Sequence, residues 1–524
     1  MSGFPMNGFP WISVLTAVPV VGAILVLVAG QNRKAARAIT LAAGAVALAI
    51  TLGLWRGFSA AAGTLQFQER HTWIPALGVD YHVGIDGIGL LMLLLSAIVV
   101  LMSIAASWSN ENHGRLYYAL VLLLETGLFG TFTALNFVHW FFYWELGLIP
   151  AFFLIRLWGG PQRARASTQF FVYTMVGSIA LLLAFLAIFL ATGKFDFIDL
   201  AQMAQSGQLG PAMAQGLHWG HWSSDRIMEW VFWGAFLGFA VKVPIVPFHT
   251  WLPSAYAEAP SGTTMLLTGA MSKMGLYGLL RILLPIFPEQ MQHALTLLLW
   301  LAVASVVWSA FAAWAQTDLK RIFAYSSVNH LGYCLLAVFV AVKWTGGTMA
   351  GEKAAALDGA MLQIFNHALT AGALFWFMAM LEKRSGGLRG LNDFGGLRKI
   401  APVFCGLMGI AVFSSLGLPG LNGFPGEFLI FKGAFPLATW ATSLSVIGLL
   451  ITAVFLLVLL ERVFYGPVNE RWAALADLST GERWALAPVI GLMFVLGFYP
   501  QLIVGMVNGT VVQLITQLVP HMGF

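Results

Sequence analysis

The sequence predicts an all-α polytopic membrane protein. Three observations carry this. Of 524 residues, 59% are hydrophobic and only 9% charged. Apolar runs long enough to cross a bilayer recur along the whole chain, and no stretch between them has the composition of a separate soluble domain. A soluble domain carries about a quarter charged residues, so this chain cannot cover a water-facing surface. The composition excludes a soluble enzyme, a disordered chain and a nucleic-acid binder, since the net charge of +5 is spread without a basic patch. The two cysteines, Cys334 and Cys405, lie far apart in apolar runs and supply neither an iron–sulfur cluster nor a disulfide framework.

The first apolar run has no basic n-region and no small-residue cleavage site after it, so it reads as a retained helix rather than a signal peptide. Spans of about 18–25 residues, each enough for roughly 30 Å of hydrocarbon, fall in chain order at 11–29, 38–55, 85–107, 117–134 and 137–158. The next are at 168–192, 230–248, 264–286, 294–315 and 322–342, and the last at 361–381, 403–435, 439–464 and 484–507. That is about fourteen. With the N-terminus outside, 17 of the 27 Lys and Arg fall in inner loops, 7 in outer loops and 3 within spans. This split places both termini outside, and the 381–403 loop inside.

Ionisable groups then stand within the apolar spans. Glu125 and Glu145 lie in spans four and five, Lys242 and Lys273 in seven and eight, and His330, His367, Glu427 and Lys432 in ten to twelve. Each costs at least about 2.5–3.5 kcal/mol at mid-bilayer. Lys432, near the end of its span, reaches the interface by snorkelling. A buried salt bridge would account for any one of the others, Glu125 included. It does not account for the set, which alternates in type and stands beside two broken helices. In GFAVKVPIVPFHTWLP, Pro244 and Pro247 remove backbone donors just after Lys242. In SSLGLPGLNGFPGEFLIFKG, Pro419, Gly420, Gly423, Pro425 and Gly426 lead into Glu427, between apolar stretches that argue against an exposed loop. Such breaks are tolerated only inside protein or beside a water-filled cavity, and a pair of them points to an ion pathway in a repeat-built transporter. Glu145 to Lys242 and His330 to Glu427 are both 97 residues, which pairs span five with ten and seven with twelve.

The set suits proton transfer. A Glu–Lys pair that opens and closes trades a proton with its neighbour, and histidine titrates near neutrality. A metal site is disfavoured, because His330 and His367 are 37 residues apart with no Cys or carboxylate at ligand spacing. Two histidines on facing helices leave haem ligation as the weaker alternative.

At these residues the chain resembles the antiporter-like subunits of respiratory complex I. The resemblance is carried by FYWELGLIPAFFLIRLWG, KVPIVPFHTWLPSAYAEAPSGTTMLLTGAMSKMGLYGLLRI and QTDLKRIFAYSSVNHLGY, and it covers residues 86–466. IFNHALTAGALFW, with no Lys after its His, is similar to the M-type branch. The resemblance implies fourteen helices with two inverted five-helix repeats, each a half-channel for protons. The division is then 1–116 for three N-terminal helices, 117–286 and 294–464 for the repeats, and 465–524 for a loop and the last helix. It implies Glu145 as the glutamate of span five, Lys242 as the lysine of the first broken helix and Lys273 as the bridging lysine. It further implies His330 and His367 as the second relay and Glu427 as the exit glutamate. The family usually reads WLPDAH where this chain has Ser254 and Tyr256, which bears on proton access to the first half-channel. Asn329 replaces a usual Ser, and the 342–359 loop is longer than the family's.

The implied activity is proton translocation in a bacterial inner membrane, as a subunit of NADH–quinone oxidoreductase flanked by sister subunits of L and N type and by lipid. NADH, FMN, iron–sulfur clusters and quinone would belong to other subunits, since the chain has no GxGxxG and no cluster cysteines. The competing expectations are a subunit of an Mrp-type cation/proton antiporter or hydrogenase-linked ion pump, and a bare structural spacer.

Overall fold

The computed structural model describes residues 8–108 and 112–518, and these are overwhelmingly helical. Twelve of the described helices are long and apolar enough to cross a membrane. In the N-terminal part they are Trp11–Val28, Arg33–Gly57, Gly87–Ser107, Arg115–Thr133, Phe137–Trp158 and Arg163–Thr192. Farther along they are Leu295–Trp314, Leu319–Ala341, Ala350–Ser385, Thr439–Phe464, Thr480–Phe498 and Gln501–Leu518. Several starts are fixed by side chains that accept from first-turn N–H groups, among them Asn32, Asp86, Asn136 and Asp318.

Burial sorts the helices. Leu319–Ala341 and Ala350–Ser385 are enclosed on nearly every side, whereas Arg163–Thr192 and Thr439–Phe464 turn residues such as Leu190 and Leu450 outward. An apolar helix buried all round forms the centre of a bundle, and one with a large exposed apolar face meets lipid or another apolar surface. Lys273, His330, His367 and Glu427 sit on or against that centre.

Both expected breaks are present. The first runs Ser224–Lys242, an irregular 243–250, and Trp251–Glu258. The second runs Pro402–Ser415, 416–422, and Gly423–Leu437. Between residues 261 and 286 a third helix is continuous in path but widened twice into π-helical turns, at Leu267–Met271 and Leu279–Leu283.

The structure departs from the sequence reading in four places. The expected last span at 484–507 is two helices, Thr480–Phe498 and Gln501–Leu518, parted at Tyr499 and Pro500. The second of these packs across the ends of other helices: Thr510 Oγ1 accepts from Gly87 N at 3.0 Å, Asn508 donates to Asp358 at 2.7 Å, and Gly509 meets Ala60 and Gly63. Residues 350–359, expected to lie in a loop, begin the long Ala350–Ser385 helix. A two-stranded antiparallel hairpin, Gln66–Ile74 with Val79–Ile85, interrupts the all-helical expectation. Finally, Lys242 ends the half-helix before its break while Glu427 opens the half-helix after its own. The equal 97-residue spacings therefore do not place the two residues at equivalent points of their breaks.

Candidate functional site

The predicted residues fall into two groups. At the first break, Pro244 cannot donate to Ala240 O, and Ile245 N takes its place at 2.9 Å. Val241 O accepts from the Trp251 indole at 2.9 Å, and Val246 N donates to Ser305 Oγ at 3.0 Å. With its backbone satisfied, the irregular turn leaves Lys242 at the end of a buried half-helix. Its ammonium sits 4.6 Å from the centre of the Trp144 ring, a cation–π contact worth more when desolvated. Among the described residues Lys242 Nζ has no hydrogen-bond partner, and no ion pair joins it to Glu145. Glu145 is only half-buried, on a flank where Phe142 and Ile149 are exposed. The expected Glu–Lys pair is thus an open one, with Trp144 holding the lysine.

The second group is connected. Lys273, fully buried just beyond the first π-turn, donates to Thr268 O and lies 2.8 Å from His367 Nδ1. The rings of His367 and His330 are 5.3 Å apart. His330 Nδ1 is 3.2 Å from Glu427 Oε1, and its Nε2 is 3.2 Å from Ser415 Oγ. Gln363 Nε2 donates to Glu427 Oε1 at 3.2 Å and stands 3.3 Å from His330 Nδ1. Four titratable side chains from four elements therefore follow one another through the protein interior.

Glycine shapes this end. Gly417, with φ of +80°, opens the second break, and a Cβ there would lie 2.6 Å from Glu427 Oε2. A Cβ at Gly426 would lie 2.6 Å from Gln363 Oε1. The break is held by Asn422, whose amide donates to Asn366 O at 3.2 Å while its oxygen accepts from Ser414, and by Asn366, which donates back to Asn422 O.

Sequence reasoning missed Gln363, Ser415, Trp144 and the Asn366–Asn422 clamp. It also missed Arg389, which binds Glu258 at 2.8 Å and Asp318 at 2.6 Å. That arginine ties the end of the first broken helix to the start of the helix carrying His330. Tyr256, where the family usually has His, is buried, and its hydroxyl has no hydrogen-bond partner among the described residues. Among the described residues no group of three His, Cys, Asp or Glu could hold a metal ion.

The sequence profile described as "NADH:quinone oxidoreductase/Mrp antiporter, TM" matches residues 134–452. The chain is 32% identical to NADH-quinone oxidoreductase subunit M of Rhodobacter capsulatus, over 96% of each. It is 33% identical to F(420)H(2) dehydrogenase subunit M of Methanosarcina mazei, over 95% of this chain and 96% of that one. Among solved structures it superposes on a chain of respiratory complex I from Thermus thermophilus with a TM-score of 0.80 and 27% identity, covering 97% and 99% of the two chains. A chain of the Mrp complex from Dietzia shares the fold at a TM-score of 0.81 and 19% identity, with the same coverage. A match over more than half the chain, joined to full-length M-subunit relatives, means that this protein belongs to the NADH:quinone oxidoreductase/Mrp antiporter membrane family, on the side of its M subunits.

Proposed function

We propose that the chain moves protons across a bacterial inner membrane as a membrane-arm subunit of an NADH–quinone oxidoreductase. The observation that carries this is the buried succession Lys273, His367, His330 and Glu427, each within reach of the next through a ring contact or a polar contact. Packing alone would favour Leu or Met at such depth. Histidine and a desolvated lysine exchange protons with little driving force, and Gln363 holds the last pair in register. Glu145, half-buried on an apolar flank, would face a sister subunit of L or N type, and Lys242 would receive its proton when the Trp144 contact opens. Each proton moved against 100 mV gains about 2.3 kcal/mol, so the drive comes from NADH oxidation and quinone reduction in other subunits, which hold FMN and the iron–sulfur clusters.

The topology follows. Eleven of the twelve long helices cross, the three interrupted or widened ones at 224–258, 261–286 and 402–437 bring the crossings to fourteen, and Gln501–Leu518 lies along the outer face. Residues 117–286 and 294–464 then form the two repeats, and the end of the bundle bearing Arg115, Arg389 and Glu382 faces the cytoplasm. The full-length fold shared with an Mrp chain supports a second reading, a subunit of a cation/proton antiporter. Identities of 32–33% to M subunits against 19% to the Mrp chain favour the first.

The test is quinone reduction and proton pumping by the whole complex in vesicles, with assembly checked on native gels. Lys242→Ala and Lys273→Met should assemble and lose pumping by roughly tenfold or more. Lys242→Arg should fail as well, because a guanidinium does not release its proton. Full pumping in all three would reduce these residues to structural charges.

A further inference from the structure

Glu125 belongs to neither group above, yet it is completely buried on the Arg115–Thr133 helix, and neither of its carboxyl oxygens has a hydrogen-bond partner among the described residues. A carboxyl group left unpaired at that depth is among the costliest side chains a spanning helix can carry, and buried polar groups without partners call for a specific explanation.

Two contacts set the level of Glu125 against the neighbouring helix. Tyr117 Oη lies 3.4 Å from Thr263 Oγ1, and Tyr277 Oη donates to Phe132 O at 3.0 Å with their rings 5.2 Å apart. The two helices therefore rise side by side in the same direction. Glu125 stands two turns before Phe132 on the same face, which sets it level with the π-turn Leu267–Met271. That turn contains Thr268, whose carbonyl holds the ammonium of Lys273. Widened turns of this kind concentrate at functional sites.

Below Glu125 lies a cavity of about 520 Å³ at the arginine-rich end, lined by Ser107, His113, Ser261, Gly262, Glu382 and Lys383. From it, hydroxyls lead inward. Ser261 Oγ donates to Glu382 Oε2 at 3.2 Å, Ser107 Oγ is 2.9 Å from Tyr117 Oη, and the His113 ring stacks on Tyr117 at 3.7 Å. Gly262 permits this approach, since a Cβ there would come within 2.2 Å of Ser107 Oγ. The line of polar groups stops at Tyr117 and Thr263, roughly 12 Å along the helix from Glu125.

We propose that Glu125 is a further proton-carrying residue, taking protons from this cavity and passing them toward Lys273; the proposal rests on the proton-translocating reading above. In the step, the O–H bond of the Glu125 acid breaks onto an intervening water, which gives up another of its protons so that an N–H bond forms on the neutral Lys273 amine. The Glu125 carboxylate is then reprotonated from the cavity by way of the Ser107, Tyr117 and Thr263 hydroxyls and of water admitted over the remaining stretch of about 12 Å. No electrons move.

The experiment compares Glu125→Gln, Glu125→Asp and Lys273→Met in the whole reconstituted complex. It reads pumping together with the infrared difference spectrum between the oxidised and reduced enzyme. Glu125→Gln keeps the shape and polarity of the side chain but has no acid proton. It should assemble, lose proton pumping by roughly tenfold and lose a carboxylic-acid carbonyl band, while Glu125→Asp keeps most pumping with that band shifted. Wild-type pumping in Glu125→Gln beside impaired Lys273→Met overturns this assignment alone. Wild-type pumping in both overturns the proton-translocating reading and this assignment with it. If Glu125→Gln does not assemble, Glu125→Asp decides: a shifted band supports the role, and an unshifted one removes it.

Discussion

His330 Nδ1 and Glu427 Oε1 lie 3.2 Å apart, although 97 positions of chain and one broken helix separate them. Gln363, from a third helix, reaches both and fixes the distance without adding a charge.

Gln363→Leu should therefore leave His330 and Glu427 in place but free to part. A lost buried hydrogen bond is worth about 0.5–1.5 kcal/mol, or more where a charged group is involved. Coupled turnover should fall by roughly three- to tenfold with assembly intact, as read by pumping per quinone reduced. Unchanged pumping would make Gln363 a packing residue.

Trp144 holds Lys242 through its ring face. Trp144→Phe should keep part of this attraction and Trp144→Leu none, a difference of about 0.5–2 kcal/mol. Pumping should decline in the order wild type, Phe, Leu. Glu145→Ala should match Lys242→Ala, with Glu145→Asp milder. An equal effect of Phe and Leu would remove the ring from the mechanism.

The hairpin is held by His82, in the middle of its second strand, whose Nδ1 is 2.5 Å from Asp196 Oδ2 in the loop before the Phe197–Gln205 helix. Burial pushes the Asp196 carboxyl up, but the His82 bond and charge and the N–H groups of Ile198 and Asp199 outweigh it and hold it below the usual range. A carboxyl with a depressed folded value stabilises the fold above its unfolded value, about 3.9. That contribution is lost as pH falls through the folded value. At neutral pH Asp196→Asn should destabilise by about 1–3 kcal/mol. The gap between its melting temperature and the wild type's should narrow as pH falls below about 4 and close below the folded value. A gap that persists in acid would assign the loss to packing.

Sidedness is testable with added cysteines in a Cys405→Ser background, since Cys334 is buried. Exposed Ser59 and Thr516, replaced by Cys, should react with an impermeant thiol reagent from the periplasm, and exposed Lys399→Cys from the cytoplasm. Labelling of Thr516→Cys from the cytoplasm would mean that Gln501–Leu518 crosses the membrane.

What the sequence made legible was whatever is costly in lipid. Lys242, Lys273 and Glu427 stand out because charge in an apolar run is rare, and the two breaks because several Pro and Gly cluster there within a few residues. Gln363 and Ser415 carry no such signal, since uncharged polar residues are ordinary inside helical bundles. Trp144 is one aromatic residue among 20 Trp and 40 Phe. Gln501–Leu518 has the same mean hydropathy as Thr480–Phe498, and only its contacts with Gly87, Asp358 and Gly63 distinguish it. The offset between Lys242 and Glu427 about their breaks was invisible because a count of residues does not say on which side of an interruption a charge falls.

The Asn508–Asp358 bond has a mechanical meaning. Ala350–Ser385, which carries Gln363 and His367, is moored near its N-terminal end by Asp358 to a crossbar that also rests on Gly87 and Gly63. At its other end Arg384 is lashed to Glu482 at 2.6 Å. A rod fastened at both tips does not slide like a piston. On the proposed proton-carrying role, transfer at His367 would then call for turning of its ring rather than sliding of its helix.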